Sequence, residues 1–104
     1  MAQVLTVFRN RLRDDHVEEY RAMSARMSEL ARSMPGFVDA KTFTADDGER
    51  VTVVTFADAE TQRAWREHPE HRDAQRAGVD RFYETYAIQV AEITYSHTFA
   101  EVQA

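Results

Sequence analysis

The 104-residue chain contains no cysteine. That rules out a disulfide framework, a thiolate nucleophile and any zinc site built on sulfur. No apolar run is long enough to span a membrane, and the opening MAQVLTVFRNRLRDD lacks the uncharged apolar stretch of a signal peptide. The expectation is a soluble, cytoplasmic protein with no membrane partner. Positive charge is also in short supply. The formal net charge is −5, and the arginines alternate with Asp and Glu rather than clustering, which argues against nucleic acid as a partner. The chain has no Ser-His-Asp signature, Gly-rich phosphate loop or EF-hand, so hydrolase, nucleotide and calcium readings have no support.

What remains is ordinary globular material, 43% hydrophobic and 30% charged, of a length that makes one domain over 1–104. Gln3 to Leu12 reads as a strand with apolar residues on both faces, Val4 and Phe8 on one and Leu5 and Val7 on the other. Asp14 and Asp15 are N-cap candidates, with Glu18 three residues after Asp15 as in a capping box. The helix they open carries an apolar stripe through Tyr20, Met23, Met27 and Leu30 to Met34, the methionines being read as core filler under a sheet. Pro35-Gly36 stops it. Phe37–Thr44 and Arg50–Phe56 form a hairpin around Asp46-Asp47-Gly48-Glu49. Asp58 caps a short helix from Ala59 to about His68. Pro69 ends that helix and starts another that reaches about Glu84, weakened at Gly78 unless close packing calls for glycine there. Tyr86 to Tyr95 is the last strand, and 97–104 is a tail.

The order β-α-β-β-α-β points to an α+β, ferredoxin-like fold with a four-stranded antiparallel sheet. Helices cover one face of such a sheet, yet the first and last strands are apolar on both. A second copy packing sheet to sheet is the simplest cover, so a homodimer is expected.

The chemistry concentrates between Trp65 and Tyr86, which hold the only tryptophan, two of the four histidines and the cluster Phe82, Tyr83 and Tyr86. Two roles are open to Trp65: stacking on a flat ligand, or filling the core. Asn10 either hydrogen-bonds a substrate oxygen or ends a strand facing water. His68 and His71 bracket Pro69-Glu70. The break at proline and the lack of a third ligand argue against metal, so none is expected. His71 is the better placed to act as a base, whereas His68 reads as a surface or helix-capping imidazole. His16 and His97 read as structural or exposed. Arg72 either holds a phenolate or pairs with neighbouring acids.

Asn10-Arg11-Leu12, Pro35-Gly36-Phe37, Trp65, and WREHPEHRDAQ leading to FYETY resemble the antibiotic biosynthesis monooxygenase family over about residues 3–96. The resemblance implies a dimeric α+β barrel. It also implies a cofactor-independent oxygenase acting on a small planar phenolic or polyketide-like molecule. Asn10, Trp65 and His71 would then be catalytic, and Phe82, Tyr83, Tyr86 and Arg72 would contact a small aromatic ligand. A second branch of the family degrades haem through a histidine ten residues after the tryptophan. That position is Gln75 here, not a usual haem ligand, and His71 lies one helical turn earlier. A non-catalytic dimeric barrel holding a small hydrophobic ligand is the alternative from another class.

Overall fold

A computed structural model describes residues 2–101. Met1 and 102–104, the end of the tail assigned to 97–104, lie outside the described residues. Four strands, β1 (Val4–Leu12), β2 (Phe37–Thr44), β3 (Arg50–Phe56) and β4 (Tyr83–Glu92), make one antiparallel sheet in the order β2-β3-β1-β4. Three helices connect them: α1 (Val17–Ser33), α2 (Ala59–Arg66) and α3 (Pro69–Ala77). This is the expected ferredoxin-like α+β arrangement. No helix among the described residues is long and apolar enough to cross a membrane.

Turn chemistry sets most of the boundaries. Gly48 takes a positive φ in the β2–β3 turn, where the Ala45 N–H donates to the Glu49 carbonyl. Gly36 also needs its missing side chain. Its φ is 82°, and a Cβ there would sit 2.5 Å from the Thr61 hydroxyl. The close approach lets the Ala57 N–H reach the Gly36 carbonyl at 2.7 Å, docking the α2 entrance onto the α1 exit. Asp58 accepts from the Thr61 N–H at 2.8 Å while Thr61 Oγ1 accepts from the Asp58 N–H. That reciprocal cap satisfies two donors at the helix start and holds the Asp58 carboxyl below its usual range.

The other boundaries differ from the sequence reading. Asp14 and Asp15 do not cap α1. The chain turns through His16, in the left-handed region with φ 57°, and the helix begins at Val17 with the His16 ring against Glu19 at 3.1 Å. The expected helix to Glu84 stops at Ala77, followed by a wide π-helical turn over Gly78–Phe82. Gly78 is the reason: a Cβ there would overlap the Tyr83 ring, so the chain folds tightly over itself and enters β4 at Tyr83 rather than Tyr86. At its far end β4 ends at Glu92, short of the expected Tyr95. The Ile93 N–H makes its bond to Gln3, and β1 offers nothing beyond.

The helices lie on the sheet face that carries Val4, Thr6, Phe8 and Asn10. Ala31, Val54, Phe56 and Trp65 form the buried core there, with Met34, Phe37 and Ala40 packed around it. This core sits at the β2–β3 side. Only the last turns of α1, at Leu30 and Ala31, are buried. Met27 and Met23, one and two turns earlier, stay half-buried and line an open groove instead of filling the core. Across that groove the inward side chains of β4 remain bare, Tyr86, Ile88 and Val90 each being over two-fifths exposed. On the opposite sheet face Leu5, Val7, Val51 and Val53 are only partly buried, and Phe43 is half exposed.

Candidate active site

The groove encloses about 920 Å³ between the helix layer and the sheet, with all four strands contributing to its lining. Its floor includes Thr6, Phe8 and Ile88, and its walls include Met23 and Met27 of α1, Trp65 of α2 and His71 of α3. A bidentate ion pair ties α1 to α3, with Arg26 Nε and Nη2 donating to the two Glu70 oxygens at 2.8 and 2.7 Å. Arg26 holds the Glu70 carboxyl below its ordinary range.

Trp65 and His71 are the centre of this wall. On an unbroken helix, residues six apart point roughly 120° away from each other. Here Pro69 occupies the first turn of α3, and His68 Nδ1 accepts from the Glu70 N–H at 3.2 Å, which makes His68 a helix cap. The corner so formed swings His71 back onto the tryptophan. Their ring centroids are 4.4 Å apart at 46°, and on its other side Trp65 stacks on Phe56 at 5.3 Å and 29°. Trp65 is 8% exposed, and its Nε1–H has no protein partner.

His71 Nδ1 lies 3.3 Å from the Arg66 carbonyl oxygen. A carbonyl only accepts, so this contact puts the proton on Nδ1 and leaves the Nε2 lone pair unprotonated. The Gln75 amide 3.5 Å from the same nitrogen then cannot donate to it. Burial lowers the His71 pKa below the usual imidazole value, the Arg66 carbonyl opposes this, and His68 adds to the lowering. The ring is therefore a neutral base at pH 7, with its acceptor nitrogen as the free end.

Of the remaining expected residues, Arg72, Tyr83 and Tyr86 stand on the groove wall. Burial raises the Tyr83 hydroxyl well above an ordinary phenol, and the neighbouring Tyr20 adds to the shift. Tyr83 is accordingly a neutral donor. Asn10 and Phe82 are not brought to the groove. Each is 2% exposed. Asn10 pairs in register with Arg50 and Tyr86 behind the wall, its Oδ1 without a partner, and Phe82 packs edge-on against Tyr20 at 5.7 Å. Among the described residues no three His, Asp or Glu side chains gather as metal ligands.

Two wall residues escaped the sequence reading. Gln62, three positions before Trp65 on α2, is 2% exposed and donates from Nε2 to Thr6 Oγ1 at 3.1 Å. A polar residue sharing the helix face of a buried tryptophan was the available signal. Tyr20 accepts from Arg50 Nη1 at 2.7 Å, with the guanidinium 5.1 Å from its ring centre. It was hidden inside the apolar stripe of α1.

A family model described as antibiotic biosynthesis monooxygenase matches residues 3–77. The protein YqjZ of Bacillus subtilis (strain 168), described as uncharacterised, is 33% identical over 82 residues, 79% of this chain and 72% of that protein. Among solved structures, Rv0793 from Mycobacterium tuberculosis superposes with a TM-score of 0.80 at 17% identity, covering 93% of this chain and all of that one. SnoaB, a cofactor-independent oxygenase from Streptomyces nogalater, superposes with a TM-score of 0.73 at 18% identity, covering 97% of this chain and 100% of its own. At those identities the two structures speak for the fold alone.

Proposed function

Since the chain belongs to the antibiotic biosynthesis monooxygenase family, we propose that it is a cytoplasmic, homodimeric, cofactor-independent monooxygenase acting on a small planar phenolic or polyketide-like molecule. The observation that carries this reading is the Trp65–His71 contact on an open groove, with His71 held neutral and its Nε2 lone pair free. At about 920 Å³ the groove is at the upper end of small-molecule sites, room for a molecule of several fused rings.

In this mechanism His71 Nε2 removes the phenolic proton. The resulting electron-rich ring system reduces dioxygen directly. For a hydroxyanthrone one dioxygen is consumed per turnover. The reacting CH₂ loses two hydrogens and gains one oxygen as a carbonyl, and the second oxygen leaves as water. The protein's part is to deprotonate, orient and exclude water. Trp65 borders the ring, Tyr83 and Tyr86 supply hydroxyl donors from the far wall, and Arg72 stands beside the phenolate. Asn10 and Phe82 act from behind, by holding β1 and the π-helical turn in place. The test is oxygen uptake with hydroxylated anthrones and naphthols, with quinone formed in equal amount. No uptake with any of them would sink the proposal.

The dimer rests on the incompletely buried face of Leu5, Val7, Phe43, Val51 and Val53, which a second copy would cover. Light scattering at micromolar concentration is expected to give twice the 12.0 kDa chain mass. A particle of single-chain mass would exclude this arrangement.

A further inference from the structure

The charges around the groove run against the rest of the molecule. The chain carries 18 acidic side chains and 13 basic ones, yet the groove lining includes four arginines, Arg32, Arg66, Arg72 and Arg76, and a single acid, Asp80. Of the four, only Arg76 makes an ion pair among the described residues, to Asp73 at 3.0 Å. Arg32 lies over the Phe37 ring, a contact that leaves its charge uncompensated. Three of the acids are held by arginines outside the lining: Glu49 by Arg9, Asp47 by Arg11 and Glu70 by Arg26. An even spread of charge would put at least as many carboxylates as cations around the groove.

From this we infer that the groove takes an aromatic ligand bearing a permanent anion, a carboxylate or a phosphate, with the ring system on the Phe8, Met23, Met27 and Ile88 surface and the anion at the arginine rim. The four arginines come from α1, α2 and α3. Their guanidinium forks present paired donors, the geometry that carboxylate and phosphate oxygens accept. The proposal rests on the groove being the ligand site, as in the oxygenase reading, and fixes the charge of what enters. It concerns binding alone, so a failure of turnover leaves it standing, and its own failure leaves turnover of a neutral phenol possible.

Isothermal titration calorimetry at low salt with 2-naphthol, 2-naphthoate and 2-naphthyl phosphate separates the cases. Naphthol is neutral at pH 7 and shares the ring system of the two anions. At least one anion is expected to bind about tenfold more tightly than naphthol, the scale of a partly exposed charge-assisted contact. A stronger carboxylate arm identifies the ligand as an aromatic acid, and a stronger phosphate arm as a phosphate ester. The preference should disappear in the double variant Arg66→Gln, Arg72→Gln, whose exposed positions leave the melting temperature unchanged. It should also shrink in the wild type as salt is raised. Equal affinity for naphthol and both anions, or a preference that survives the double substitution, overturns the proposal.

Discussion

Trp65→Ala is expected to cost about 3 kcal/mol of folding stability, the lower end of the range for truncating a buried large aromatic. Two features of the site decide the magnitude. Trp65 joins the core, stacking on Phe56 beside Ala31 and Val54, in a domain with few fully buried residues to spread the loss. It is also part of the groove wall. The space it vacates merges with the groove and fills with solvent, so no sealed void is left and the cavity penalty is limited. For a domain of this size 3 kcal/mol corresponds to a melting temperature lower by roughly 12–24 °C. Trp65→Phe, which can keep a ring against Phe56, should recover a good part of the loss. A thermal melt checks both, and a shift of only a few degrees in the alanine variant would mean the core does not depend on this ring.

His71→Gln is expected to lower kcat/KM by roughly a hundred- to ten-thousandfold on a phenolic substrate, the usual worth of a positioned general base. In the wild type the acid limb of the pH–rate profile should fall below the ordinary imidazole value of 6.5, because burial resists protonation of the ring. Activity then persists through neutral pH and is lost as the solution is acidified through the lowered pKa. Stability follows the same direction. Below 6.5 the unfolded chain takes up a proton that the folded ring refuses, so acidification from that point destabilises the fold until the folded pKa is passed. Above 6.5 the ring is neutral in both states and contributes no slope. The variant should lose both the acid limb and this part of the acid destabilisation. An acid limb unchanged in His71→Gln would assign the base to another group.

The hairpin, the Asp58 cap and the stop at Gly36 were legible because each depends on residues next to one another in the chain. Two of the misplaced boundaries, the start of α1 and the end of α3, depend on side-chain contacts that cap rules and periodicity do not register. Gly78 ends its helix because the Tyr83 ring folds onto it, and the periodicity of 69–84 carries no trace of that approach. The turn at His16 displaces two aspartates that satisfy every local rule for a cap. The site shows the same division. Trp65 and His71 could be named from residue type, but their ring contact arises from a corner at Pro69 that reverses what helical spacing predicts. Asn10 had the right residue type and strand position. Its side chain is nonetheless sealed behind the groove, because strand alternation gives the face and not the depth. Gln62 and Tyr20 went unread for a related reason: a polar group inside an apolar stripe acquires meaning only when its partner, Thr6 or Arg50, is known.

The strand register also dictates an order of assembly. β1 lies in the middle of the sheet and pairs along its whole length with β4, Val4 opposite Glu92 and Leu12 opposite Tyr83. During synthesis β1 leaves the ribosome well before that partner exists, by roughly 5–15 seconds at ordinary elongation rates. Through that interval one side of β1 is an open ladder, the floor beneath Phe8 has no neighbour, and a nascent chain can recruit a foreign strand there. The ligand groove is therefore among the last parts to take shape, and the growing polypeptide is most vulnerable to wrong pairing just before its final strand arrives.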